Sequence, residues 1–375
     1  MNAPFIAVAA PPRQPLVLSV FPTFAVGGAQ VRFAALANRQ GARWRHAIVS
    51  LDGQFGCAER LAAGVPFERI TFRTAPGEPL PLRLRRIRAV IRALRPDALV
   101  TSNWGSVEWA IANLGPARIR HLHTEDGFGP DEAEGQKRRR VIFRALTLRW
   151  SSIALPSSVL LRSAREQWRL PERRLHLVPN GLDLRRFRRD GPAAAIEVPG
   201  RGPLIGTVAA LRREKNIGRL LQAVALLRRQ GVAMRLAVIG EGPERQDLEE
   251  LAASLEIQDR VRFTGHLRDP AAAYRALDGF ALSSDTEQMP FSVLEAMASG
   301  LPVVSTDVGD VRLMLSAENR ALVTPPDASA LAAALRRMVE DGPLRAALGA
   351  ANRAKAEAEY DEIRMFDTYA RLIDG

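Results

Sequence analysis

The sequence predicts an α/β protein made of two doubly wound, Rossmann-like domains that face a central cleft, and three observations carry that expectation. The chain has 375 residues, 47% of them hydrophobic, which is more than one ordinary core accommodates and suits two. Short apolar runs that break into polar loops alternate with stretches of helical spacing, first up to residue 187 and again from residue 204. Between the two series, residues 188–203 mix acidic, basic, Ala, Gly and Pro residues without an apolar period, as an interdomain linker does.

Residues 1–15 read as a loose tail, because their apolar patch has no preceding charge and is followed by prolines, unlike a secretory leader. Residues 16–21 form an apolar run, residues 22–28 carry turn formers, and residues 30–40 have helical spacing: strand, loop, helix. Gly27 and Gly28 let the backbone come close to a phosphate. Further strands are expected at 47–51, 70–72, 98–102, 119–123 and 175–179. The loops after Ser102 (Asn103, Trp104, Ser106) and after Leu122 (His123, Thr124, Glu125, Asp126) follow carboxyl ends, where open α/β sheets bind ligands.

The second series starts with a strand over 204–211, a loop RREKN and a helix over 217–227. Strands at 236–239 and 261–265 lead into GEGPE and HLRD. Residues 280–282 then end in Ser283, Ser284, Asp285 and Thr286, which is how a buried parallel strand meets a ligand-facing loop. Pro290 suits a first helical position, Phe291, Leu294, Met297 and Ala298 recur at helical spacing, and Gly300 stops the helix before a strand from Pro302. Glu295 lies in the most apolar part of that helix and therefore requires a polar partner. With Glu287 just before the helix, two carboxylates overlook an N-terminus whose free amides suit a phosphate. Residues 328–374 read as helices interrupted at Gly342 and Pro343.

Composition narrows the partners. Lys and Arg number 53 against 41 acidic residues, a formal charge of +12 that favours an anionic partner, although the arginine bias of a GC-rich genome gives the same excess. Arg83, Arg85, Arg86, Arg88, Arg92 and Arg95 share an amphipathic pattern with Leu84, Ile87, Val90, Ile91 and Leu94, and a second cluster runs from Lys137 to Arg140, then Arg144 and Arg149. Each cluster reads as a solvated helix face or as a contact with anionic lipid. No run approaches the roughly 18 apolar residues of a membrane span, so a cytoplasmic protein is expected, peripheral on the inner face of the membrane at most. Cys57 is alone, which excludes an internal disulfide. There is no D-x-D, no HExxH and no Cys/His cluster, so no metal is expected, and no aromatic-rich RNA motif accompanies the charge, so nucleic acid is not expected either.

Set between a strand ending in SSD and a helix ending in SGLPVV, Glu287 and Glu295 resemble the E-x7-E signature of retaining glycosyltransferases of the GT-B fold, glycosyltransferase family 4 above all. The resemblance spans both domains. It implies that Glu287 faces the donor sugar, that Glu295 holds the ribose hydroxyls of the nucleotide, and that Pro290, Phe291 and Ser292 border the donor at the helix N-terminus. GGAQ resembles the family loop that closes the diphosphate site, with Gly28 as the contact, and Lys215 in REKN resembles the phosphate-binding lysine. His123 matches the family's cleft histidine, with His121 as the competing assignment. Gly265 and His266 edge the base, while Gly240, Glu241 and Gly242 either line the nucleotide or form a structural turn. VPNGLD resembles the turn that ends the first domain, and residues 360–372 match a last helix that crosses back onto it.

The implied domains are 1–187, 204–359 and a C-terminal helix within 360–375. There is one departure from the pattern: Ala210 stands where the family commonly has an arginine, and Arg212 or Arg213 is expected to compensate. The implied activity is metal-independent transfer of a hexosyl unit from a nucleotide-diphosphate sugar, a co-substrate and not a cofactor, to a glycan or lipid-linked acceptor of envelope or exported polysaccharide. The alternative is a nucleotide-sugar binding protein with weak or no transferase activity.

Overall fold

Apolar runs without polar alternation need a sheet covered on both faces, and the chain builds two such sheets. The computed structural model describes residues 13–75, 77–115, 118–128, 132 and 135–375, so most of the expected tail lies outside the described residues. The first sheet contains β1 (Leu16–Phe21), β2 (Arg45–Ser50), β3 (Phe67–Ile70), β4 (Ala98–Ser102), β5 (Arg120–Thr124), β6 (Ser152–Leu155) and β7 (Leu175–Leu177), in the order β3-β2-β1-β4-β5-β6-β7. The second contains β8 (Leu204–Val208), β9 (Arg235–Ile239), β10 (Val261–Gly265), β11 (Gly279–Leu282), β12 (Val303–Thr306) and β13 (Val323–Thr324), in the order β10-β9-β8-β11-β12-β13. The pairings in both are parallel. Each order reverses once, at β1/β4 and at β8/β11, and such switch points open crevices at the carboxyl ends of the strands.

The departures from the sequence expectation have local causes. β6 is not foreshadowed because only Ile153, Ala154 and Leu155 are apolar between serines and Pro156, yet all three are buried. β3 ends at Ile70, not beyond it: it is an exposed edge strand, and the apolar signal at Phe72 belongs to a core contact past its end. β8 stops at Val208 because Ala209 to Leu211 leave the sheet to pack against the backbone of Gly240 and Gly242. The interruption expected at Gly342 and Pro343 is present: helix Ala328–Glu340 ends before them, and they open the next helix, Gly342–Glu359, whose N-cap Asp341 accepts from the Leu344 amide.

The basic helix Leu80–Leu94 buries Ile87 and turns Leu84, Val90, Ile91 and Leu94 toward the core of the first domain. What it leaves outside is arginine, and part of that is engaged: Arg83 pairs with Glu108 at 3.1 Å and Arg86 with Glu78 at 2.7 Å.

The chain ends on the first sheet. Leu182 donates to the Tyr360 carbonyl (2.9 Å) and Glu362 to the Leu182 carbonyl (3.2 Å), and Gly181 lies so close that a Cβ there would be 2.5 Å from the Glu362 Cα. Helix Glu362–Asp374 then packs Met365, Phe366, Tyr369 and Ile373 into one cluster with Val17, Leu36, Trp44 and Val100, and Trp44 Nε1 donates to Asp374 at 2.8 Å. Phe366→Ala is therefore expected to cost about 3–5 kcal/mol, felt in the first domain. All five tryptophans lie between residues 44 and 168, so urea unfolding followed by tryptophan fluorescence reads that domain directly, and an unshifted midpoint would contradict the packing.

Candidate functional site

The crevice of the second sheet is lined first by backbone. Gly240 has φ +142° and its Cβ position lies 1.9 Å from the Ala209 carbonyl oxygen, while that of Gly242 lies 2.3 Å from the Leu211 carbonyl oxygen. Only glycine permits these approaches, so close packing accounts for both residues. Gly265, at φ +75°, accepts from the Gly240 amide at 3.0 Å, which joins the ends of β9 and β10, and His266 follows it on the exposed edge.

Two loops meet at the end of β11. Asn216, left-handed at φ 41°, caps helix Ile217–Arg229 and binds Asp285 through Nδ2 (3.1 Å), while Asp285 donates its amide to the Glu214 carbonyl (2.9 Å) and Ser283 Oγ donates to the Lys215 carbonyl (3.1 Å). The result places Lys215 Nζ 2.6 Å from Glu287 Oε1, which also accepts from Ser284 Oγ at 2.7 Å. These are residues 72 apart in the chain, both only partly exposed. Arg212 stands beside them on the exposed start of the loop, near Ala210, and forms no ion pair or side-chain hydrogen bond with a described residue.

Helix Phe291–Ala298 takes Pro290 as its N-cap, one position earlier than the sequence suggests, since the proline is extended (φ −69°, ψ 126°). Val293 and Leu294 donate to the Pro290 carbonyl, which leaves the Phe291 and Ser292 amides without a described partner. Opposite stands the N-terminus of helix Gly28–Gln40, also uncapped by any side chain, and a Cβ on Gly28 would lie 3.3 Å from the Phe291 ring. Two helix N-termini, one from each domain, thus point into one space, where their amides and dipoles favour an anion.

The polar partner that Glu295 requires is Tyr274, from helix Pro270–Arg275, whose hydroxyl donates to Oε2 at 2.7 Å. Burial pushes the Glu295 carboxyl up to about 7, against the Tyr274 hydrogen bond and the Arg186 charge, which favour the ionised form. Nothing in the sequence singles out Tyr274 beyond the need for some such partner.

The first domain meets this loop at several points. Ser157 Oγ donates to Gln288 (3.0 Å), Asn180 Nδ2 donates to the Met289 carbonyl (3.0 Å), and Asp310 accepts from the Ser158 amide (2.5 Å), the Ser158 hydroxyl (2.7 Å) and the Val159 amide (3.3 Å). His123 is the histidine that the sequence resemblance places in the cleft. It is fully buried, with Nδ1 2.8 Å from Thr101 Oγ1 and Nε2 3.5 Å from Glu125, and His121 is likewise buried between Thr101 and Ser151. β5 runs through both histidines to Thr124.

What reaches the cleft from this loop is Asp126, which holds Arg32 with two hydrogen bonds (2.5 and 2.9 Å), while Arg32 also donates to Asn180 at 2.9 Å. Below it, Arg144 donates to Glu125 at 3.0 Å, lies 3.6 Å from Glu132 and is enclosed by the rings of Trp104, Phe128 and Trp168. A further cavity of about 460 Å³ opens at the carboxyl ends of β2 and β4, lined by Phe72, Arg83, Trp104, Arg139 and Phe143 among others.

Residues 26–186 match the family model described as Glycosyltransferase Family 4, and residues 193–355 match the one described as Glycosyl transferases group 1. The chain is 30% identical over 288 residues to a GDP-mannose-dependent alpha-mannosyltransferase of Mycobacterium tuberculosis, covering 72% of this chain and 71% of the relative. It is 32% identical over 181 residues to the lipopolysaccharide core biosynthesis glycosyltransferase LpsE of Rhizobium meliloti, covering 48% of this chain and about half of the relative's length, 52%. Anabaena Alr3699/HepE, solved in complex with UDP and glucose, superposes with a TM-score of 0.79 over 96% of this chain and 99% of that one, at 18% identity. With both halves of the frame matched and a relative aligned through most of its length, the chain belongs to the GT-B glycosyltransferases that resemble family 4.

Proposed function

We propose that the protein is a retaining, metal-independent glycosyltransferase that moves a hexosyl unit from a nucleotide-diphosphate sugar to a glycan or glycolipid acceptor of envelope or exported polysaccharide. The observation that carries this reading is the Lys215–Glu287 pair standing beside two converging helix N-termini. A departing diphosphate needs its charge met more than it needs a strong nucleophile attacking. Lys215, the Phe291 and Ser292 amides and the helix behind Gly28 supply that, with Arg212 in place of the guanidinium absent at Ala210. Glu287, once Lys215 turns to phosphate, is free to accept from hydroxyls of the donor sugar. The anomeric C–O bond to phosphate breaks as the acceptor hydroxyl adds from the same face, and the acceptor proton leaves on a phosphate oxygen. Glu295 offers Oε1, the oxygen not bound by Tyr274, to the ribose. The names of the relatives, a lipopolysaccharide core transferase among them, support the polysaccharide assignment.

Binding without transfer is the second reading, and the alanine at position 210 favours it. Kinetics with the preferred donor decide. Glu287→Gln is expected to lower kcat about 100-fold with little change in donor KM, and Glu295→Gln to raise donor KM about tenfold. Lys215→Ala and Arg212→Ala should each cost roughly one to two orders of magnitude in rate, with Ala210→Arg nearly silent. Unaltered kinetics in both Glu variants would remove the assignment. A large gain in Ala210→Arg, with Arg212→Ala silent, would favour a binding protein.

The Glu295 carboxyl gives a pH signature. Its folded value of about 7 lies above the ordinary 4.5, so between those values the folded chain holds a proton that the unfolded chain has released. The contribution is present at low pH and lost as pH rises through about 7, whereas ribose binding by the carboxylate strengthens over the same rise. Thermal melts between about pH 5 and pH 8 should therefore show ligand-free stability falling and the nucleotide-induced shift growing, with both trends flattened in Glu295→Gln.

A further inference from the structure

Two buried histidines, His121 and His123, lie on one face of β5, and a single hydroxyl joins them. Thr101 of β4, which pairs in register with His123, has its Oγ1 2.8 Å from Nε2 of His121 and 2.8 Å from Nδ1 of His123. The other nitrogen of His121, Nδ1, lies 2.6 Å from Ser151 Oγ, and that of His123, Nε2, faces a Glu125 oxygen at 3.5 Å. Ser151, His121, Thr101, His123 and Glu125 thus form one buried row, from the amino end of β6 to the loop that carries Asp126.

With both rings neutral, the row has two possible orders. A hydroxyl has one proton, so Thr101 donates to one ring and accepts from the other, and a neutral imidazole has one N–H and one lone pair. Each choice fixes the next. If Thr101 donates to His121, the His123 proton sits on Nδ1, and the lone pair of Nε2 faces the Glu125 carboxylate, which repels it. If Thr101 donates to His123, Nε2–H of His123 points at the carboxylate, Nε2–H of His121 fills the Thr101 oxygen, and Nδ1 of His121 accepts from Ser151.

The surrounding charges keep the rings neutral. Glu125 and Glu132 are already matched by Arg144 and Arg140, at 3.0 and 2.8 Å, which leaves no charge for an imidazolium in so enclosed a place. Burial, with His123 and Arg118 acting in the same direction, pushes His121 down to about 3.

We propose that Glu125 orders this row with every proton pointing toward it, so that both histidines are Nε2–H tautomers, and that Thr101 is a positioning residue that makes His123 a hydrogen-bond donor and withholds it as a base. The two histidines are therefore not alternatives, because each sets the state of the other. The lone pair of His123 is occupied by Thr101, which suits a transfer in which a phosphate oxygen takes the acceptor proton. Glu125 leads directly into Asp126, whose grip on Arg32 extends through Asn180 to the Met289 carbonyl, just before helix Phe291–Ala298. The order of the protons rests on geometry alone, whereas its effect on rate rests on the proposed transfer.

Histidine-selective 15N labelling tests the order, since the ring nitrogens of the chain's five histidines report tautomer and charge directly. In the ligand-free protein near neutral pH both rings should be neutral Nε2–H forms, and an Nδ1–H form or an imidazolium in either overturns the proposal. Ser151→Ala should leave both unchanged, because the direction is imposed from the Glu125 end; a reversal there assigns it to Ser151 and overturns that part. Thr101→Val leaves Nε2–H of His121 without an acceptor, so that ring should turn to Nδ1–H toward Ser151, and Thr101→Ser should restore the parent form. A His121 ring indifferent to Thr101→Val shows that the hydroxyl does not couple the pair. Should Thr101→Val fail to fold, the parent and Ser151→Ala spectra still decide the order. In kinetics, Thr101→Val should lower kcat about tenfold with donor KM within about twofold, and Thr101→Ser should recover most of the loss. An unchanged kcat removes the positioning role. A parent with the expected tautomers that transfers no sugar sinks the proposed reaction and leaves the order standing.

Discussion

One carboxylate holds the two sides of the cleft in register. Helix Ser158–Glu166 of the first domain has no acidic residue in its first turn, and the negative charge its N-terminus favours comes from Asp310 of the second domain, through three hydrogen bonds. The backbone around Asp310 is just as constrained. Its amide donates to the Gln288 carbonyl at 2.8 Å, and the Cβ position of the preceding Gly309 would lie 2.5 Å from the carbonyl oxygens of both Glu287 and Gln288. The position of Glu287 is therefore inherited from a contact between domains. A hydrogen-bonded, largely buried carboxylate of this kind acts more as a register pin than as a source of net stability, because its desolvation offsets much of its bonding.

The first domain uses the same device internally. Arg144 is wholly enclosed, and its charge is tolerable only because Glu125 and Glu132 meet it and three aromatic rings cover what is left. This fixes the course of the chain after β5 and sets Asp126 to grip Arg32. Lys215 and Glu287, by contrast, are close but still partly in contact with water, so either can exchange its partner at small cost. Enclosed ion clusters carry the walls, and a less enclosed pair stands where a ligand would arrive.

The sequence discloses what is periodic and local. β1, β4 and β10 are readable to the residue, because each is a run whose apolar or strand-forming residues end at a polar or glycine turn. Lys215 and the two glutamates are readable because short motifs mark them. It does not disclose what depends on meeting across the fold. Tyr274 and Asp310 act through partners 21 and 152 residues away, respectively, and no spacing rule connects those positions. The partners of His123 are hidden for a related reason: the alternation that marks a strand does not show that Thr101, from the neighbouring strand, and Glu125 enclose its ring.

The helix that crosses back has a consequence for synthesis. The cluster around Val17, Trp44 and Val100 is completed only by Phe366 and Tyr369, so a nascent chain must carry an open first core through translation of the whole second domain. The second sheet, whose strands are contained between residues 204 and 324, is closed earlier in that sense although it emerges later. Contacts of such sequence separation are slow to form and leave apolar surface uncovered meanwhile. The domain made first on the ribosome is thus the one finished last, and its exposed core is the segment that a chaperone or an aggregation partner would meet.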